Sequence, residues 1–97
     1  MLTGKQRSYL KGLANSMEAS VYIGKAELTQ TILKEMDDYL RAHEMVKVKI
    51  QEGCLLDPKE TANAAAQSLQ AEFVQAIGRR FVLYRRAAED PKIVLPE

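Results

Sequence analysis

Apolar residues recur at two different spacings along this chain, and the switches between them divide it into seven segments. Leu10, Leu13, Ala14 and Met17 fall at i, i+3, i+4 and i+7, the stripe of an amphipathic helix. This predicts a first helix over residues 4–17 with Thr3 as its N-cap. Residues 20–24 read Ser-Val-Tyr-Ile-Gly, a short strand that stops at a glycine. A second helix follows over residues 29–42, capped by Thr29. Ile32, Leu33, Met36, Tyr39 and Leu40 form its inner face, and Lys34, Asp37, Asp38 and Arg41 face water.

Over residues 44–51 the spacing changes to period two. Val46, Val48 and Ile50 alternate with Lys47 and Lys49, which predicts a half-buried strand. Asp57-Pro58-Lys59-Glu60 then supplies an N-cap, a proline at the first helical position and a glutamate at the third. The helix it starts runs to about residue 69 with Ala62, Ala65, Ala66 and Leu69 inside. So small a stripe predicts close packing of helix on sheet. Residues 73–77 and 81–84 flank Gly78-Arg79-Arg80 and form a β-hairpin. The tail carries Ile93, Val94 and Leu95 between Pro91 and Pro96 and either docks on the body or frays.

The order α-β-α-β-α-β-β predicts an α/β fold in a single domain over residues 1–97. The two β-α-β stretches favour parallel strands, and the hairpin adds an antiparallel pair. A four-stranded mixed sheet packed by helices results, with the core expected on one side of it.

Composition narrows the function. The chain is 46% hydrophobic and 28% charged, a globular balance. No apolar run is long enough for a membrane span, and the N-terminal residues do not read as a secretory signal. The single Cys54 cannot form an intrachain disulfide. These features predict a cytoplasmic location. Net charge is only +1, but residues 1–26 carry +3, residues 27–60 carry −3 and residues 61–97 carry +1. An acidic middle between basic ends allows one basic face on a near-neutral molecule.

Enzyme chemistry finds no motif. His43 is the only histidine, and His43-Glu44-Met45-Val46-Lys47 is not a His-Glu-x-x-His zinc sequence. Asp37-Asp38 reads as a polar helix face, and neither a phosphate-binding lysine loop nor a dinucleotide glycine fingerprint is present. No catalytic residue, metal, cofactor or small-molecule substrate is therefore expected.

Several segments together carry a resemblance. They are Leu2-Thr3-Gly4-Lys5-Gln6-Arg7 with Leu10-Lys11-Gly12-Leu13-Ala14, Ile23-Gly24-Lys25 with Leu28-Thr29, and residues 43–49. Val74-Gln75-Ala76-Ile77-Gly78, Val82-Leu83-Tyr84-Arg85 and Lys92-Ile93-Val94-Leu95-Pro96 complete the set. In this order the chain resembles the CRM (chloroplast RNA splicing and ribosome maturation) domain family, in its stand-alone bacterial YhbY-like form. The resemblance covers nearly the whole chain. It implies a fold similar to the C-terminal domain of translation initiation factor three, with a KH-like glycine loop. It also implies RNA binding and association with precursor large-subunit ribosomal RNA during ribosome biogenesis.

The family's Gly-x-x-Gly loop reads Gly24-Lys25-Ala26-Glu27 here, with glutamate in place of the second glycine. Gly24 permits close backbone approach, Lys25 offers a point charge to a phosphate, and Glu27 opposes one. The expected RNA contacts are Gly24, Lys25, Arg7, Lys11, Lys47, Lys49, Arg79, Arg80 and Arg85. Tyr9, Tyr22, Tyr39 and Tyr84 are either stacking platforms or core residues. The first reading is a monomeric RNA-binding protein without catalysis. The alternative is an adaptor that binds ribosomal proteins or assembly factors.

Overall fold

The computed structural model describes residues 2–25 and 27–97. Its elements are α1 (Gly4–Ala14), β1 (Val21–Ile23), α2 (Gln30–His43), β2 (Met45–Ile50), α3 (Pro58–Leu69), β3 (Glu72–Ile77) and β4 (Arg80–Tyr84). The four strands form one sheet in the order β1-β2-β4-β3. β1 and β2 are parallel and joined through α2, while β4 is antiparallel to both β2 and β3. β3 therefore runs in the same direction as β2, with β4 inserted between them. The α/β, four-stranded mixed sheet expected from the sequence is the observed fold.

Local chemistry sets the boundaries. Thr3 and Gln6 form a reciprocal capping box: the Thr3 hydroxyl accepts from Gln6 N–H at 3.1 Å, and Gln6 Oε1 accepts from Thr3 N–H at 3.1 Å. Thr29 accepts from Ile32 N–H, and Asp57 accepts from Glu60 N–H with Pro58 opening α3. Each such cap contributes about 1 kcal/mol. α1 ends three residues earlier than its apolar stripe suggests. Ser16 N–H and Met17 N–H turn back to Leu13 and Ala14, which tightens the chain out of the helix.

The core is where the structure departs from expectation. It occupies both faces of the sheet rather than one. On one face α2 and α3 bury Val21, Ile23, Met36, Leu40, Val46, Val48, Ile50, Phe81 and Leu83. Ala62, Ala65 and Ala66 are the small contact surface of α3, as the stripe predicted. On the other face α1 and the tail cover Met45, Val74, Val82 and Tyr84 with Leu2, Leu10, Ala14, Ile93 and Leu95. An irregularity in the β3–β4 register between Phe73 and Gln75 points both Val74 and Gln75 toward this second face.

The tail is held by a buried carboxylate. Glu44 ends α2 in the left-handed conformation (φ 68°) and is 1% exposed. Its side chain accepts backbone N–H bonds from Ala87 (2.9 Å), Lys92 (2.6 Å) and Ile93 (2.9 Å). At the far end Gln6 Nε2 donates to the Pro96 carbonyl at 3.1 Å. The tail thus docks across the second face beside α1.

Candidate nucleic-acid interface

α1 and the tail leave one end of the second face open. Strand alternation decides which side chains lie there. Ile23, Ile50 and Phe81 point into the α2–α3 core, so Tyr22, Lys49 and Arg80 point the other way. The registers place them in one row: Tyr22 opposite Lys49, Lys49 opposite Arg80, and Arg80 opposite Ile77. Tyr22 is 47% exposed and Ile77 64%. Beside the row, Asn15, Lys47, Gln75, Ile77, Arg80 and Val82 line a small pocket of about 150 Å³ at the C-terminal end of α1.

The glycine loop leaves β1 at the same end. A Cβ on Gly24 would stand 3.3 Å from Gln51 Oε1, at the tip of an exposed side chain that could shift to make room, so this loop lies against the turn after β2. The stem of Lys25 crosses Gly53 of that turn, with Cε 3.5 Å from where a Cβ would be. Glu27 N–H donates to the Gly24 carbonyl at 3.0 Å. Glu27 itself has φ 64°, the backbone conformation glycine adopts freely. Ala26 of this loop, like Met1, lies outside the described residues. No ion pair among the described residues joins Lys25 to Glu27 or to any other acid.

Three expected contacts have their charged ends engaged inside the molecule by two or more hydrogen bonds each. Lys47 Nζ donates to the Ala14 and Met17 carbonyls, both at 3.0 Å, and so caps the end of α1. Arg79 donates to the Ile50 (3.0 Å), Gln51 (3.1 Å) and Cys54 (2.8 Å) carbonyls, which locks the turn after β2 onto the β3–β4 hairpin. Arg85 lies at the opposite end of β4. It binds the Asp37 carboxylate at 2.8 Å and the Leu69 and Asp37 carbonyls at 3.0 and 3.2 Å. Asp37, expected to face water, is half-buried by this pairing. The Arg85 hydrogen bond holds its carboxyl below the usual range against the opposing effect of burial.

Arg7 and Lys11 sit apart from the row, along the outer side of the edge strand β3. Arg7 Nε donates to the Phe73 carbonyl at 3.2 Å, and both residues share a groove of about 330 Å³ with Lys59 of α3. Lys59 was not singled out from the sequence, because nothing in its spacing places α3 next to α1 across an edge strand. Of the tyrosines, Tyr84 is core, Tyr39 packs on His43 at 4.3 Å between ring centroids, and Tyr9 and Tyr22 are exposed. Cys54 is buried, and among the described residues no group of three or more His, Cys, Asp or Glu could hold a metal ion. No helix of the described residues is long and apolar enough to cross a membrane.

This architecture has known counterparts. The CRS1 / YhbY (CRM) domain family matches residues 2–85. The chain belongs to that family. Among CRM relatives, the Bacillus subtilis protein named Probable RNA-binding protein YqeI is 32% identical over 96 residues, covering 99% of this chain and 100% of its own. A Haemophilus influenzae protein named RNA-binding protein is 38% identical over 95 residues, covering 98% and 95%. The solution structure of a hypothetical protein from Staphylococcus aureus superposes with a TM-score of 0.84 at 38% identity, covering 99% of this chain and 100% of that one.

Proposed function

We propose that this CRM domain binds RNA through the open end of its sheet, recognising phosphates and shape without chemistry of its own. In this reading it associates with precursor large-subunit ribosomal RNA during ribosome assembly, as a cytoplasmic monomer. The observation that carries the reading is the convergence of Lys25, Lys49 and Arg80 on one end of the molecule, beside the Gly24 loop. Phosphate binding needs cations that are clustered and not already paired. The central contacts are then Gly24, Lys25, Lys49 and Arg80, with Lys11 and Arg7 extending the track along α1. Lys47, Arg79 and Arg85 serve it by holding α1, the turn after β2 and the far end of β4 in place. The RNA-binding names of the CRM relatives support the same reading.

The adaptor alternative has less to stand on. Large exposed apolar side chains such as Leu55 and Val94 belong to separate segments, and singly exposed residues are ordinary. Titration of labelled large-subunit precursor RNA tests the proposal. Lys25→Glu is expected to weaken binding about tenfold or more at moderate salt. Unchanged affinity would remove Lys25 from the site. Crosslinking in cells followed by sequencing of the RNA adducts tests the ribosomal assignment directly.

A further inference from the structure

The open row contains two exposed side chains that phosphate binding does not explain, Ile77 at one end and Tyr22 at the other. Tyr22 stands in the edge strand β1, two residues before Gly24, with nearly half its surface exposed. Its neighbours Val21 and Ile23 are buried on the opposite face, so its outward direction is fixed by the strand and not by a loose side chain. The hydroxyl lies 3.4 Å from the Ala19 carbonyl, a long and weak hydrogen bond. Lys49 lies directly across from it in β2, and Arg80 lies beyond in β4. The result is an aromatic ring at one end of a row of cations, next to the loop that carries Lys25.

We infer that the open sheet face holds an unpaired RNA segment, with one base stacked on the Tyr22 ring and the adjoining phosphates met by Lys25, Lys49 and Arg80. This rests on the RNA-binding reading and deepens it: the site takes single-stranded nucleotides, not a continuous duplex. A duplex hides its base faces in its own stack and can offer this row only phosphates and sugars. A base without a pairing partner exposes a π-face, and stacking on an aromatic side chain stabilises it whatever its identity. Arg80 adds a planar cation that can stack or fork onto a phosphate, and Lys49 adds a point charge. The charge of the row is complementary to such a strand. Glu27, in the neighbouring loop, limits how closely a phosphate approaches from that side.

The test compares wild type, Tyr22→Ala, Tyr22→Leu, Tyr22→Phe and Lys25→Glu as full-length chains. Each is titrated against a fluorescein-labelled ten-nucleotide oligouridylate and against a blunt sixteen-base-pair RNA duplex. Stacking of one base predicts that Tyr22→Ala and Tyr22→Leu lose about fivefold or more in affinity for the single strand. Both should stay within about twofold of wild type on the duplex, and Tyr22→Phe should bind like wild type on both. Tyr22→Leu keeps a branched apolar side chain in an edge strand, so its loss reports the ring and not the fold. Wild-type affinity in Tyr22→Ala alongside a loss in Lys25→Glu would overturn the stacking and leave the RNA-binding reading standing. Wild-type protein that binds neither RNA would overturn both.

Discussion

At the residue scale, two left-handed glutamates do opposite things. Glu44 is buried and gives the fold its latch. Burial alone would push its carboxyl up, but the N–H groups of Ala87, Ile93 and Lys92, with the charge of Arg86, outweigh this and hold it below its ordinary value of 4.5. Because the folded value is the lower one, the stabilisation is complete above 4.5 and is lost as pH falls through the folded value. Glu44→Gln places an amide NH₂ among backbone donors and is expected to cost about 1–3 kcal/mol at neutral pH. It should also flatten the fall in melting temperature below about pH 5. Asp37 titrates in the same direction, so the NMR signal of the Ile93 amide is the specific readout: a wild-type signal insensitive to acid would refute the latch. Glu27 is exposed and strained at φ 64°. Glu27→Gly relieves that conformation and removes a negative charge beside Lys25. A gain of about 0.5–1 kcal/mol in thermal denaturation is expected, together with tighter RNA binding. A variant that melts and binds like wild type would mean that neither strain nor charge matters there.

At the element scale, the sequence was legible wherever local chemistry decides. Thr3, Thr29 and Asp57-Pro58 mark helix starts because a cap needs only neighbours three residues away. The alternation of Val46, Lys47, Val48, Lys49 and Ile50 located β2 for the same reason. The two-sided core was missed although β4 announced it: Phe81, Val82, Leu83 and Tyr84 are apolar at four consecutive positions, and such a strand requires cover on both faces. The roles of the cations could not be read locally. Lys47 meets the end of α1 more than thirty residues away in sequence, and Arg85 meets Asp37 across 48. A lysine alternating with valines has the same pattern whether it faces water or caps a helix. Lys47→Gln separates these possibilities. Removing the charged donor from the Ala14 and Met17 carbonyls is expected to cost about 1.5 kcal/mol, or roughly 6–12 °C in melting temperature. Amide exchange should accelerate in α1 first. Unaltered exchange there would show that the cap contributes nothing.

At the scale of the whole molecule, a net charge of +1 is compatible with a phosphate-binding end because the charges are sorted by structure and not by number. Some cations are taken up by carbonyls and carboxylates within the fold, and the free ones at the Gly24 end are left to act together. Salt dependence can count them. For single-stranded nucleic acid, each phosphate contact contributes about 0.7 to the slope of log affinity against log salt. Lys49→Gln and Arg80→Gln should each lower that slope by roughly 0.7, and the double variant by roughly twice as much. Lys47→Gln, measured well below its lowered melting temperature, should leave the slope where it was, because its ammonium is engaged by the Ala14 and Met17 carbonyls. The comparison places two half-buried lysines in one experiment, two residues apart on one strand, one engaged by carbonyls at the end of α1 and the other facing the row. Equal slopes for Lys47→Gln and Lys49→Gln would mean that the sheet does not separate the two lysines in the way their hydrogen bonds indicate, and the phosphate track would have to lie elsewhere.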